Sequence, residues 1–260
     1  MTAARTLPAP ARYALALGDD ALVLAQRCGE WVTRAPQLEE DVGLANIGLD
    51  LLGQARVLLS HAGRLEGAGR DEDDLAYLRE ERDFLNVQLV ELGNGDFALS
   101  MARLLVFSAY QLELYRRLTG STDETLAAVA AKAVKEVAYH RDHATEWVLR
   151  LGDGTPLSHD RMQAGLDAVW PYVDELFATS SRHGRWPDAD LVADGVAVDP
   201  ASLREPALAH VRAVVAEATL TEPAPPWTAT GGRHGVHSSP MGPMLAELQH
   251  LHRSHPGASW

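Results

Sequence analysis

The sequence predicts an all-α protein, on three observations. Apolar residues recur at helical spacing, period-two alternation is absent, and proline- or glycine-rich breaks cut the chain into helix-sized pieces. The clearest stripe lies in the stretch that ends at Leu151. Leu126, Ala130, Ala133, Val137, His140, Ala144, Val148 and Leu151 follow one another at steps of three and four, as one buried helix face requires. No Gly-rich phosphate loop, Gly-x-Ser-x-Gly elbow or fixed-period repeat interrupts this pattern.

Each element follows from local chemistry. Residues 1–12 read as a flexible Pro/Ala tail, and Tyr13–Val32 as the first helix, broken by Arg34-Ala-Pro-Gln. The next helix starts near Pro36, carries Glu39, Glu40 and Asp41 where the helix dipole favours negative charge, and runs to about Arg64. Between Val42 and Leu59 its only polar side chains are Asn46, Asp50, Gln54 and Arg56, so other helices are expected to surround it. Leu75–Leu92 is expected to be helical, with Arg79-Glu80-Glu81-Arg82-Asp83 as a solvated face. Gly93-Asn-Gly-Asp96 is a turn, and Phe97–Leu118 an apolar helix. The striped helix follows the capping pattern at 119–124 and stops at Gly152-Asp-Gly-Thr-Pro156. Ser158–Phe177 is helical with a kink at Trp170-Pro171, and 179–200 reads as a surface excursion. Asp199-Pro200 opens a helix to about Thr219, and Ser239-Pro240 opens a last one to about Arg253. The expected organisation is one bundle over 13–220, with a linker and C-terminal helix, 221–260, packed on it.

Composition narrows the function. The chain has 260 residues, 46% of them apolar, and a formal net charge of −13. That balance argues against nucleic-acid or anionic-membrane partners, which call for a basic face. Cys28 is the sole cysteine, so neither an internal disulfide nor a thiolate zinc site can form within this chain. Asp19 and Asp20 cut the N-terminal apolar run, which fits a signal peptide poorly. No uninterrupted apolar run approaches the roughly 18 residues of a membrane span. A cytoplasmic location is expected.

The candidate chemistry is a near-miss. Carboxylate-bridged di-iron bundles place Glu-x-x-His on each of two helices, because residues three apart project inward together. Three residues before His140 stands Val137, while Glu136 is one residue out of register. Asn46, Asp50 and Gln54 share a face at spacing four, either as a solvated or hydrogen-bonded row or as the remnant of a metal site. The intact Glu-x-x-His is Glu247-Leu-Gln-His250, and His234, His237, His252 and His255 crowd the same tail. These histidines are expected at the surface rather than on zinc. Glu136, His140 and His143 form a second cluster, and they leave an autonomous metal-dependent oxidase or hydrolase open as the rival reading. An adaptor bundle unrelated to aromatic degradation is a third.

Several longer stretches, in one order, carry a resemblance. They are Leu38–Val57, Glu81–Phe97 (ERDF…NGDF), Lys135–His140, Glu146–Thr155, Trp170–Phe177 and the closing LAELQ…PGASW. From about Tyr13 to Trp260 the chain resembles the C-type, structural subunit of bacterial phenylacetyl-CoA epoxidases. That resemblance implies a ferritin-like bundle with extra C-terminal helices. It also implies a partner catalytic subunit holding the di-iron centre, a small bridging subunit and a reductase. The family's reaction adds one oxygen atom of O2 to the aromatic ring, with electrons from NADPH. Aligned on the sister subunit's two Glu-x-x-His motifs, the slots here are Leu51-x-x-Gln54 and Val137-x-x-His140, so three of four ligands are replaced. No catalytic, cofactor-binding or metal-binding residue is therefore expected in this chain. Asn46, Asp50, Glu136 and His143 are expected as nearby polar residues.

Overall fold

The computed structural model describes residues 7–181 and 183–258. It is all-α apart from one two-residue hairpin, Ser180–Ser181 against Gly184–Arg185. Four long helices make the bundle. Helix α1 is Ala9–Gly29 and α2 is Leu38–Glu66. Short α3 (Glu72–Tyr77) and α4 (Gln88–Glu91) intervene before α5, Phe97–Leu118, and α6, Glu124–Gly152. Helix α1 packs chiefly on α2 and α5 on α6, while α7 (Pro156–Val169) and, after short α8 (Ala189–Ala193), α9 (Arg204–Glu217) close over α5. Helix α10, Met241–Ser254, lies against α3.

Local chemistry sets these bounds. Asp96 accepts the Leu99 N–H at 3.0 Å, and Asp123 accepts those of Thr125 and Leu126 at 2.9 and 3.0 Å, satisfying donors that the first turn leaves free. Gly67, at φ 73°, ends α2 in the left-handed conformation. Two glycines permit close crossings. A Cβ on Gly18 of α1 would stand 2.9 Å from Leu59 Cδ2 of α2, and one on Gly165 of α7 would stand 2.9 Å from the Leu99 backbone of α5.

The structure corrects several expectations. Helix α1 starts at Ala9, with Pro8 at its N-cap and Leu7 and Ala11 buried, so the expected tail is ordered helix from Ala9. Residues 1–6 lie outside the described residues. The single helix over 75–92 is broken into α3, a 3-10 turn at Glu81–Asp83 and α4. The cause is long-range. Asp19 Oδ2 accepts the Leu85 N–H and Asp20 Oδ1 the Val87 N–H, both at 2.8 Å, so donors that a continuous helix would use internally are claimed by α1. Arg79 does not belong to a solvated face. It is buried, forms a paired ion contact with Asp19, and its guanidinium lies 4.0 Å from the Phe84 ring centre. The 179–200 segment is anchored rather than superficial, because Trp186, Leu191 and Ala197 are buried in the main core.

Among the described residues two helices are long and apolar enough to cross a membrane by length and composition, α2 and α5. Burial accounts for α5, of whose most apolar window 83% is inside the protein. Only 50% of the corresponding window of α2 is. The expectation that α2 is surrounded by other helices therefore fails within this chain, and a row of its large apolar side chains is left partly exposed.

Candidate functional site

Helices α2 and α6 run antiparallel, and polar side chains meet along their seam. Near one end His61 Nε2 lies 2.7 Å from Asp123 Oδ2. Farther along, Gln54 Nε2 donates to Glu136 Oε2 at 3.1 Å, and His140 Nε2 lies 3.0 Å from Asp50 Oδ2. Four residues back on α2 match four residues forward on α6, as antiparallel helices require. At the far end His143 Nε2 and Glu40 Oε2 are 3.2 Å apart, buried, and not aligned as a hydrogen bond.

Between these rungs the four positions aligned above with the sister subunit's motifs differ in kind. Leu51 and Val137 are fully buried hydrocarbon in the main core. Gln54 is saturated. Its Oε1 accepts from Tyr115 O–H at 3.1 Å and Gln111 Nε2 at 3.2 Å, and its amide nitrogen holds Glu136. Lys132 Nζ lies 3.1 Å from the other Glu136 oxygen. His140 is the only imidazole of the four, 1% exposed, and Asp50 bonds it from the surface side. Asn46, on the same α2 row, is exposed. The row thus runs from solvent at Asn46 to a satisfied buried amide at Gln54.

Electrostatics follow from burial. It lowers the His140 pKa, against the opposite pull of Asp50, and it lowers that of His143 against Glu40 and Glu146. Burial also raises the Tyr115 hydroxyl well above its ordinary range, which keeps it a donor to Gln54. Burial would raise the Asp123 carboxyl, but the Leu126 N–H and His61 outweigh it and the net shift is downward.

The residues of the rival enzyme reading are therefore engaged with different partners. Glu136 serves Gln54 and Lys132, His140 serves Asp50, and His143 stands beside Glu40. Among the described residues no group of three or more His, Cys, Asp or Glu is placed to hold a metal ion. In the tail, Glu247 and His250 are exposed, and His252 stacks on Tyr77 with ring centres 4.7 Å apart. His237 corrects the surface expectation. Its ring is buried, with Nδ1 2.7 Å from Glu91 Oε2 and Nε2 3.1 Å from the Phe84 carbonyl.

Sequence reasoning missed a buried ionic layer. Asp20 and Arg233 pair at 2.6 Å, both within the core, alongside Asp19–Arg79 and Glu91–His237. Burial lowers the Arg233 pKa, but Asp20 outweighs it and holds the guanidinium above its ordinary value. The signal was two adjacent acids inside an apolar helix. Their cationic partners lie 60 and 213 residues away, which no local pattern reveals.

The outer face of α2 is the other candidate surface. Leu38, Val42, Leu49, Leu52 and Val57 are between 38% and 76% exposed. A groove of about 460 Å³, lined by Gly53, Val57, Val129 and Lys132 among others, separates this ridge from α6. A second, of about 400 Å³, lies on its other flank beside Leu22, Ala25, Tyr77 and Leu248.

Comparison with known proteins gives this surface a context. A family model described as phenylacetic acid catabolic protein matches residues 1–260. The chain is also 48% identical over 248 residues to the C-type subunit of the 1,2-phenylacetyl-CoA epoxidase of Escherichia coli strain K12, covering 95% of this chain and 98% of that one. With a family model matched along its whole length, the chain belongs to the phenylacetic acid catabolic proteins.

Proposed function

We propose that this chain is the non-catalytic, structural subunit of a multicomponent phenylacetyl-CoA epoxidase of aerobic phenylacetate catabolism, working in the cytoplasm. It braces a catalytic subunit that carries the di-iron centre. A small bridging subunit and a reductase complete the complex, which draws on NADPH and O2. One observation carries this reading, the uncovered outer stripe of α2. Five large apolar side chains along a single helix, flanked by grooves, form a patch of the kind that marks a protein interface. The identity to a protein named as one subunit of an epoxidase supports the choice of complex.

The donor set at the slots does not fit a dinuclear iron centre. Such a centre needs carboxylates and two imidazoles, and here two slots hold hydrocarbon and a third holds an amide whose three neighbours already occupy it. Substituting the first ligands exceeds the loss of supporting partners, which alone weakens metal affinity by about 10–100-fold. Burying Leu51 and Val137 instead contributes roughly 1.5–3 kcal/mol each to the bundle. Stability stands where the catalytic relative keeps chemistry.

The test is co-purification of the catalytic subunit with tagged wild-type chain and with Leu49→Asp. Wild type should retain the partner and restore turnover, and the variant should do neither while folding normally. Equal capture by both would remove the α2 face from the interface.

A further inference from the structure

The chain from Ala229 to Ser254 crosses the bundle, and its first half is fastened by buried polar contacts. The Ala229 N–H donates to the Pro171 carbonyl at 2.8 Å, and the Gly232 N–H to Glu175 Oε1 at 2.6 Å. Arg233 reaches Asp20 at 2.6 Å and lies 4.9 Å from the Trp186 ring centre. His237 is the central tie. One ring nitrogen meets the Glu91 carboxylate and the other the Phe84 carbonyl. A carbonyl only accepts, and so does an ionised carboxylate, so both ring nitrogens must donate, which only the imidazolium can do. Glu91 is itself fully buried and also accepts from the Ser238 N–H and from Asn86 Nδ2, the latter at 2.9 Å.

We infer that the C-terminal segment is a proton-dependent strap, which docks with His237 as the imidazolium and detaches as pH rises. Around His237, α1 offers Asp19, already paired with Arg79, and Arg27, which donates to the backbone carbonyls of Glu91 and Pro240. The 170–177 segment offers Tyr172 and Glu175, and the strap's Arg233 is held by Asp20. Burial by itself lowers the His237 pKa, but the hydrogen bond and charge of Glu91, with the Phe84 carbonyl, outweigh it and raise it. Burial pushes the Glu175 carboxyl up to about 7, but the strap's own Gly232 N–H and Arg233 pull it down, so the proton that favours docking is the one on His237. A docked pKa above the free value stabilises docking at low pH, and the benefit is lost as pH rises through the docked value. Between the free and docked values each linked proton weakens docking about tenfold per pH unit.

The strap leads into α10, whose Leu248 walls the groove beside α2 together with Tyr77. Detachment would open that flank of the docking face. This consequence alone rests on the function proposed above, and the strap itself does not.

Hydrogen exchange of the full chain from about pH 6 to about pH 9, bracketing an ordinary histidine and corrected for the intrinsic rate, tests the strap without any partner. Protection over 229–241 should fall as pH rises, by at most about tenfold per pH unit between the free and docked His237 values, while that of α5 holds. His237→Gln should leave the strap weakly protected at every pH. In the wild-type chain the His237 ring should titrate above the ordinary histidine value by NMR. Flat protection across the range, or a His237 that titrates below about 6.5, would overturn the proposal. Should the variant fail to fold, the wild-type titration decides.

Discussion

His140 shows how an apolar core stripe can hold one imidazole. Its ring is buried among the stripe's hydrocarbon and bonds Asp50. Because the folded pKa values of His140 and His143 are lowered, the unfolded chain takes up those protons first. Their contribution is complete above about pH 6.5 and is lost as pH falls toward the folded values. His140→Leu should therefore cost less than about 1.5 kcal/mol and reduce the acid sensitivity of stability. Denaturant titrations above and below that pH check this, and an unchanged acid loss would count against it. The ionic layer behaves differently. Arg233→Met leaves Asp20 charged and unpaired in the core, and should cost about 3–5 kcal/mol, whereas adding Asp20→Asn should recover part of that loss. A thermal-melt comparison of the two variants decides it.

Among elements, α2 carries two faces with different employment. The inner face, with Leu44, Ile47, Leu51 and Leu58, is buried in the bundle, while the outer face is bare. Leu49→Asp should change the stability of the isolated chain by no more than about 0.5 kcal/mol. It should nonetheless weaken partner binding by about 2 kcal/mol or more, roughly 30-fold, as loss of a central interface anchor does. Binding measured by calorimetry against stability measured on the free chain separates the two effects. At the α5–α7 crossing, Gly165→Val should destabilise by about 1–3 kcal/mol, because its Cβ would meet the α5 backbone and not a movable side chain. A chemical-denaturation midpoint reads it. The helices themselves were legible. The stripe from Leu126 to Val148 is buried at every position named, and α5 spans Phe97–Leu118 as its period indicates. The 72–92 segment was not legible, since its conformation is dictated by Asp19 and Asp20 from another helix. Periodicity reports which face of a helix is buried. It does not report whether the cover comes from the same chain, and that is why the bareness of α2 emerged only in three dimensions.

At the scale of the molecule, the fold separates what holds the bundle from what it offers outward. Leu51 and Val137 stand where ligands are expected from the resemblance, and the seam polar groups bond one another. Sequence alignment marked those slots. It did not reveal that Gln54 would be shared among Tyr115, Gln111 and Glu136, because those partners come from two other helices. The central claim is that hydrocarbon has replaced iron ligands in the core and left the chain to act through its surface. Elemental analysis of the isolated chain, purified from iron-replete cells, tests it most directly. Iron far below one atom per chain is predicted, and two tightly held irons per chain would contradict it.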